Sequence, residues 1–474
     1  MFIRKDIAGK FAAILILWSA AAFAAQPNDA VVLNPDGNFV DIILHQMDQN
    51  TGSSTDPADE FPSDSGYVFY ESKIDGPWRI DFYLTPDAYN LVSAFANGGT
   101  IILNPGTYYF SARSSWYYED AWSQTSMDFQ PFDAGANDFI LKGAAADKDG
   151  PSVKVVTDQF LHITADPLWF DEYMYDPSSW HNVRTVNQRF ENIAFDNTEY
   201  LIFREGRSTT LIGQVGKANV TFDKCTFAGG GLTFHTVGSL VFEGNVLDQT
   251  RYGVHVVSLW DEFRTYPADA DVLIADNIIR SVGSGIYLAW NSRGLSVPPK
   301  TMQMVGNDIQ FSEEVGIEVE GNLGSPIIKG NSIHVATGSF AASAYGGISL
   351  GLSDVGSVKS NVISSSVSTP PGAGIFVWGS SNIEVKENKV IGSYGAPLLV
   401  VRDLWYGTGL ASNFNQFIGN NFRKSTPVGW WGLPANHILL SYGTSNNVVK
   451  GSGTAGNHIS ALDLGTDNYI EGLK

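Results

Sequence analysis

The chain has 474 residues, 43% of them hydrophobic, with a formal net charge of −20 and a single cysteine. That length holds one large solenoid or two ordinary domains, the apolar share suffices for a core, and one cysteine excludes a disulfide framework. So acidic a chain argues against nucleic acid as a partner, because nucleic-acid surfaces are met by basic patches.

In chain order, Arg4, Lys5 and Lys10 give a basic start to an apolar run from Phe11 to Ala22, and Ala22-Phe23-Ala24 follows as a small-x-small site. The run is shorter than the ~20 residues that span a bilayer. Residues 1–24 therefore read as a secretory signal peptide. Its removal takes away Arg4, Lys5, Lys10 and Asp6 and moves the charge from −20 to −22. No second long apolar run follows, so a secreted or periplasmic product without a transmembrane segment is expected. Residues 25–80 are poorly periodic and read as an irregular N-terminal segment, with a polar loop over 49–64.

Thr85-Pro86-Asp87 predicts a helix start: an N-cap, a first-turn proline and an acid at the positive end of the dipole. Ala88, Leu91, Val92 and Phe95 fall on one face, and Asn97-Gly98 ends the helix. Strands are predicted around Gly99–Phe110, Phe139–Gly143 and Val153–Val156. Two stretches that interrupt the strands are rich in aromatic residues, about 112–132 with Trp116 and about 166–181 with Trp169. A third, 258–271, carries Trp260, Asp261, Arg264 and Tyr266. Long loops in a compact repeat protein are commonly functional, and the rings either pack on the body or form a wall for sugars. Cys225 alternates with Val220, Phe222 and Phe227 and reads as a packed side chain.

From about residue 230 one sentence repeats. Gly-aliphatic-x-aliphatic occurs at Gly231, Gly253, Gly285, Gly316, Gly347 and Gly374, and an asparagine before an apolar residue occurs at Asn245, Asn277, Asn307, Asn331, Asn361 and Asn388. The asparagines are 24 to 32 residues apart. Period-two alternation belongs to strands, and a self-similar period of a few tens of residues to stacked coils. The asparagine suits a left-handed turn and can bond its counterpart on the neighbouring coil. The glycine is expected where the chain bends sharply into the next strand. The repeat weakens after Arg402, where the far end is expected to close.

This pattern, with the capping helix, the Gly98-Gly99-Thr100 strand and the Pro105-Gly106-Thr107-Tyr108 turn, resembles the right-handed parallel β-helix of the pectate-lyase-like superfamily over residues 81–474. The resemblance implies an all-β fold: a single-stranded right-handed parallel β-helix solenoid with an N-terminal capping helix and aromatic-rich lateral insertions. A propeller would need four strands per unit and a longer period. The paired-aspartate and Gly-His-Gly signature of polygalacturonases and the Asp-Pro-His stretch of alginate epimerases are not present.

Alternation places one outward column at Thr233, His255, Tyr287, Glu318, Ser349 and Phe376. A second holds His235, Val257, Ala289, Glu320, Gly351 and Trp378, with Arg204 at its head. Elimination at a uronate needs a donor for the carboxylate (Arg204 or His235), then a base and an acid (His255 and Tyr287). Hydrolysis needs two carboxyls, for which Glu318 and Glu320 qualify, with Asp261 or Glu262 of the 258–271 stretch in reserve. Trp116, Trp169, Trp260, Asp261, Arg264 and Trp290 are candidate sugar-binding residues. The expected partner is thus a polysaccharide or oligosaccharide, cleaved or modified by elimination or hydrolysis; the alternative is a non-catalytic glycan-binding or surface protein on the same scaffold. No cofactor or metal is expected, although Asp166, Asp171, Glu172 and Asp176 offer oxygens of the kind calcium takes.

Overall fold

The computed structural model describes residues 30–36 and, with interruptions, 68–473, the longest interruptions being 165–185, 197–209, 258–270, 290–300 and 337–345. The strands wind as a parallel β-helix whose faces, among the described residues, are parallel sheets of 14, 11 and 12 strands. The first sheet runs from Val31–Leu33 to Tyr469–Glu471, the second from Gly106–Phe110 to Asn421–Pro427, and the third from Pro131–Asp133 to Ala461–Asp463. The coils do not fade after Arg402: Gln416–Ile418, Asn421–Pro427 and Ile438–Leu440 each take their place in one of the three sheets.

Alternation decides what fills the interior. Val254, Ile286, Ile317 and Ile348 pair in register on consecutive coils, all fully buried. Earlier coils are filled by phenylalanine, with Phe190 stacked on Phe222 at 4.5 Å and Phe195 on Phe227 at 5.3 Å. Cys225 packs in the same interior, where burial pushes its thiol up to about 12, so it is inert.

The open N-terminal end is closed by helix α1 (Pro86–Asn97). Thr85 Oγ1 accepts from the Ala88 amide at 3.3 Å, and Gly98 ends the helix at φ 65°. Ala88, Leu91, Val92 and Phe95 face inward, and the Phe95 ring lies 4.3 Å from Phe139 of the first sheet. Asp87 fixes the helix sideways by accepting from the Asp36 and Tyr109 amides at 3.0 and 2.9 Å. Upstream, Val68–Asp75 and Trp78–Leu84 form a hairpin, so part of the stretch read as irregular is strand. Ala112–Tyr118 and Ala121–Ser123 join it in a separate antiparallel sheet.

Two local devices differ from the sequence reading. At the turn between the first and second sheets, the left-handed residue is the one before the ladder asparagine. Asp276, Ser360 and Glu387 adopt φ of 53°, 57° and 57°, and Gly306 and Gly330 adopt 69° and 67°. The asparagine is thereby turned inward, where it is almost fully buried and bonds along the axis. The glycines of Gly-aliphatic-x-aliphatic are there for closeness, not for a bend. A Cβ on Gly253 would stand 1.9 Å from the Gly285 carbonyl oxygen, and one on Gly316 would stand 2.6 Å from that of Gly347. These contacts are backbone, so the coils themselves would have to part. Gly316→Ala is expected to cost at least about 3 kcal/mol. Gly330→Ala meets nothing within 4 Å and is strained only by its φ, which costs roughly 1 kcal/mol. Denaturant midpoints of the two variants measure the contrast; equal losses would count against it.

Candidate active site on the third sheet

The outward column of the third sheet is laid out by register. Thr233 lies beside His255, His255 beside Tyr287, Tyr287 beside Glu318, and Glu318 beside Ser349. The column one pleat further along the strand holds Val257, Ala289, Glu320 and Gly351. Neighbouring side chains in a column are about 4.8 Å apart, close enough to act on one bound group. Thr233, Tyr252, His255, Ser284, Tyr287, Glu314 and Glu318 line an open cleft of about 440 Å³.

His255 sits between two tyrosine rings, 4.7 Å from Tyr252 and 5.3 Å from Tyr287. Its Nε2 is 2.6 Å from Ser284 Oγ, so the serine hydroxyl orients the ring, and the ring tautomer depends on which of the two donates. Burial lowers the His255 pKa to about 4, and the imidazole is neutral at pH 7. Burial likewise raises the Tyr287 hydroxyl, helped by the nearby Glu320 and Glu318 charges, and that hydroxyl donates to Glu320 Oε2 at 3.3 Å.

Glu318 is the most perturbed of the acids. Burial, then the charge of Glu320, lifts its pKa to about 8; the hydrogen bond it accepts from Ser349 Oγ at 3.2 Å does not offset them. Glu318 therefore carries a proton at neutral pH. Glu320 is also raised by burial, opposed by the Tyr287 hydrogen bond, and is 8% exposed. One strand thus presents two carboxyls to the same face in different environments. Among the described residues no lysine or arginine lines the cleft.

The structure brings together His255, Tyr287, Glu318 and Glu320. His235 has its backbone in the strand Gly231–Thr236, paired with Val215 of the preceding coil, and it is Thr233 of that strand that lies beside His255. Trp116 has its backbone opposite Ile80 in the antiparallel sheet and not in the third sheet. Arg204, Trp260, Asp261, Arg264, Trp290 and Trp169 lie outside the described residues, as do Asp166, Asp171, Glu172 and Asp176. Among the described residues no group of three or more histidine, cysteine, aspartate or glutamate side chains is placed to hold a metal ion. No helix among them is long and apolar enough to cross a membrane. Tyr252 and Ser284 were missed by sequence reasoning. Each directly precedes the repeat glycine of its coil, and that shared position was the available signal.

Residues 263–472 match the family model described as a right handed beta helix region. The chain is a right-handed parallel β-helix. No curated protein matches this β-helix. Among solved structures it is similar to the A-module of the mannuronan C-5 epimerase AlgE6 of Azotobacter vinelandii, with 13% identity over 82% of this chain and 95% of that one, at a TM-score of 0.48. It is similar to PfbA, a surface adhesin of Streptococcus pneumoniae, with 11% identity over 81% and 88% of the two chains and a TM-score of 0.43. It is also similar to a double mutant of the periplasmic alginate epimerase AlgG, with 13% identity over 71% and 76% and a TM-score of 0.27. At these identities the likeness concerns the β-helix fold alone.

Proposed function

We propose that the chain is an exported carbohydrate-active enzyme that hydrolyses a polysaccharide in the cleft of the third sheet, with Glu318 as the general acid. The observation that carries this reading is the pair of carboxyls that one strand sends to the same face, Glu318 in a site that raises its pKa and Glu320 bonded to the Tyr287 hydroxyl. The Cβ atoms of residues i and i+2 on a strand stand about 6.6 Å apart, near the lower end of the roughly 6.5–9.5 Å between the carboxyls of inverting hydrolases. Glu318 gives its proton to the glycosidic oxygen as the bond from that oxygen to the anomeric carbon breaks. Water adds to that carbon and loses its proton to Glu320, whose ionised form is favoured by the Tyr287 hydroxyl. Tyr252, Tyr287 and His255 offer ring faces to the sugar. The cleft is lined by Glu314 and Glu318 without a described cation, which suits an uncharged glycan better than a polyanion. The basic start, apolar core and Ala22-Phe23-Ala24 site support export.

A second reading is favoured by the adjacent neutral His255 and Tyr287. In elimination at a uronate these two supply base and acid, and protonated Glu318 donates to the substrate carboxylate. One variant separates the two. In a glycan panel read for reducing ends and for the ultraviolet absorbance of unsaturated products, Glu318→Gln is expected to lower hydrolysis by about 10²–10⁴-fold. An elimination would survive within about tenfold, because the amide still donates to a carboxylate. Binding without turnover on every glycan would return the cleft to a carbohydrate-binding role.

A further inference from the structure

The outer face of the third sheet changes character one coil beyond Glu318. Further along the axis, the outward positions are Ser349, Phe376, Leu399 and Leu439 in one column, and Gly351, Trp378 and Val401 in the other. An outward side chain of a solenoid normally meets water, yet Ser349 is 0% exposed, Phe376, Leu399 and Leu439 are 1%, and Trp378 and Val401 are 4%. Together with Leu352, Ala373 and Ala396 they form a second apolar cluster outside the barrel. The Trp378 ring lies across Gly351, where a Cβ would stand 2.0 Å from it. Its Nε1 donates to Ser349 Oγ at 3.2 Å, and Ser349 in turn donates to Glu318. A continuous hydrogen-bonded path thus ties the acid to the edge of the apolar cluster.

We infer that the cleft is blind on its C-terminal side and that the enzyme acts on polysaccharide ends, releasing small units rather than cutting within the chain. This rests on the reading of the cleft as a glycan-cleaving site. The lining residues reach from the coil of Thr233 to that of Glu318, about 14 Å along the axis at 4.8 Å per coil. The cleft is therefore elongated along the axis, and a glycan lies along it. The first apolar ring in the column of Glu318, Phe376, stands two coils past it, about 9.6 Å, which leaves room for about one sugar ring between the acid and the wall. A polymer threading through would have to displace Trp378, Phe376 and their neighbours from a packed site. The bond presented to Glu318 is then the one next to the chain end, and the short side of the cleft takes the released unit.

The test follows the substrate that depends on Glu318. Viscosity and reducing ends are measured together on the polymer, and two oligosaccharides are compared, each carrying a bulky fluorophore at one terminus. The expected result is product from the earliest times with viscosity nearly unchanged. One labelled oligosaccharide is cleaved normally, and its partner, labelled at the terminus that must enter the blind side, about a hundredfold more slowly or worse. An early collapse of viscosity with a ladder of products, or equal cleavage of both labelled oligosaccharides, overturns the blind-end inference while leaving Glu318 as the acid. Glu318→Gln that cleaves as well as the native protein would instead remove the underlying reading of the site. Trp378→Phe, which keeps the apolar wall and drops its hydrogen bond to Ser349, is expected to keep the same product pattern.

Discussion

Asn331→Ala is expected to lower the stability of the β-helix by roughly 2–6 kcal/mol, a loss readable as a shift of the denaturant midpoint. The side chain is 1% exposed and makes bonds in both directions along the axis. Its Oδ1 accepts from the amide and Nδ2 of Asn307 at 2.9 Å each, and its Nδ2 donates to the Met304 carbonyl and to Asn361 Oδ1, also at 2.9 Å. Alanine removes all four and leaves the Asn307 amide and the Met304 carbonyl buried without those partners; each such orphan costs about 1–3 kcal/mol. Asn468→Ala, at the partly exposed end of another such stack, loses partners that water can replace and should cost about 1 kcal/mol. Equal losses at the two sites would mean the ladder is not the source of the effect.

The second large effect concerns pH. Glu318 binds its proton far more tightly in the folded chain, with a pKa of about 8 against 4.5. Between those values the native state holds more protons than the unfolded state, so stability falls as pH rises. His255 works in the opposite sense: its pKa of about 4 lies below the ordinary 6.5, so its contribution grows with pH up to 6.5 and is then constant. The two oppose each other below pH 6.5, and Glu318 acts alone between 6.5 and 8. The native protein should lose roughly 2 kcal/mol across that window, at about 1.4 kcal/mol per pH unit. Glu318→Gln should be flat there and His255→Gln should not be. Denaturant titrations at a series of pH values decide this. The same proton should set the alkaline limb of any activity, which is expected to fall as pH passes about 8.

The two effects also mark what could be read from the amino-acid order. Period-two alternation with asparagine and glycine at a loose spacing was enough to predict the coils. It also placed His255, Tyr287, Glu318 and Ser349 in one column, because strand pleating leaves no freedom about which face a residue takes. The helix cap at Thr85 was legible for the same kind of reason, since capping is local chemistry. Three features were not legible. The left-handed turn residue was placed one position late, because asparagine tolerates that conformation and here is used for its amide instead. The glycine column was read as a bend when its cause is the approach of the next coil, a contact between residues some thirty positions apart. The raised pKa of Glu318 depends on its burial in the folded sheet and on the nearby Glu320 and Glu314 charges, and the burial is something no local pattern specifies.

Each ladder asparagine passes its oxygen to the coil before and its nitrogen to the coil after. A whole winding can therefore be copied or excised in a gene and the amides on either flank will still find one another. The cleft inherits that modularity: duplicating the winding that bears Tyr287 would set His255 and Glu318 one rung further apart, so reach along a sugar chain can change in discrete steps while the solenoid itself stays intact.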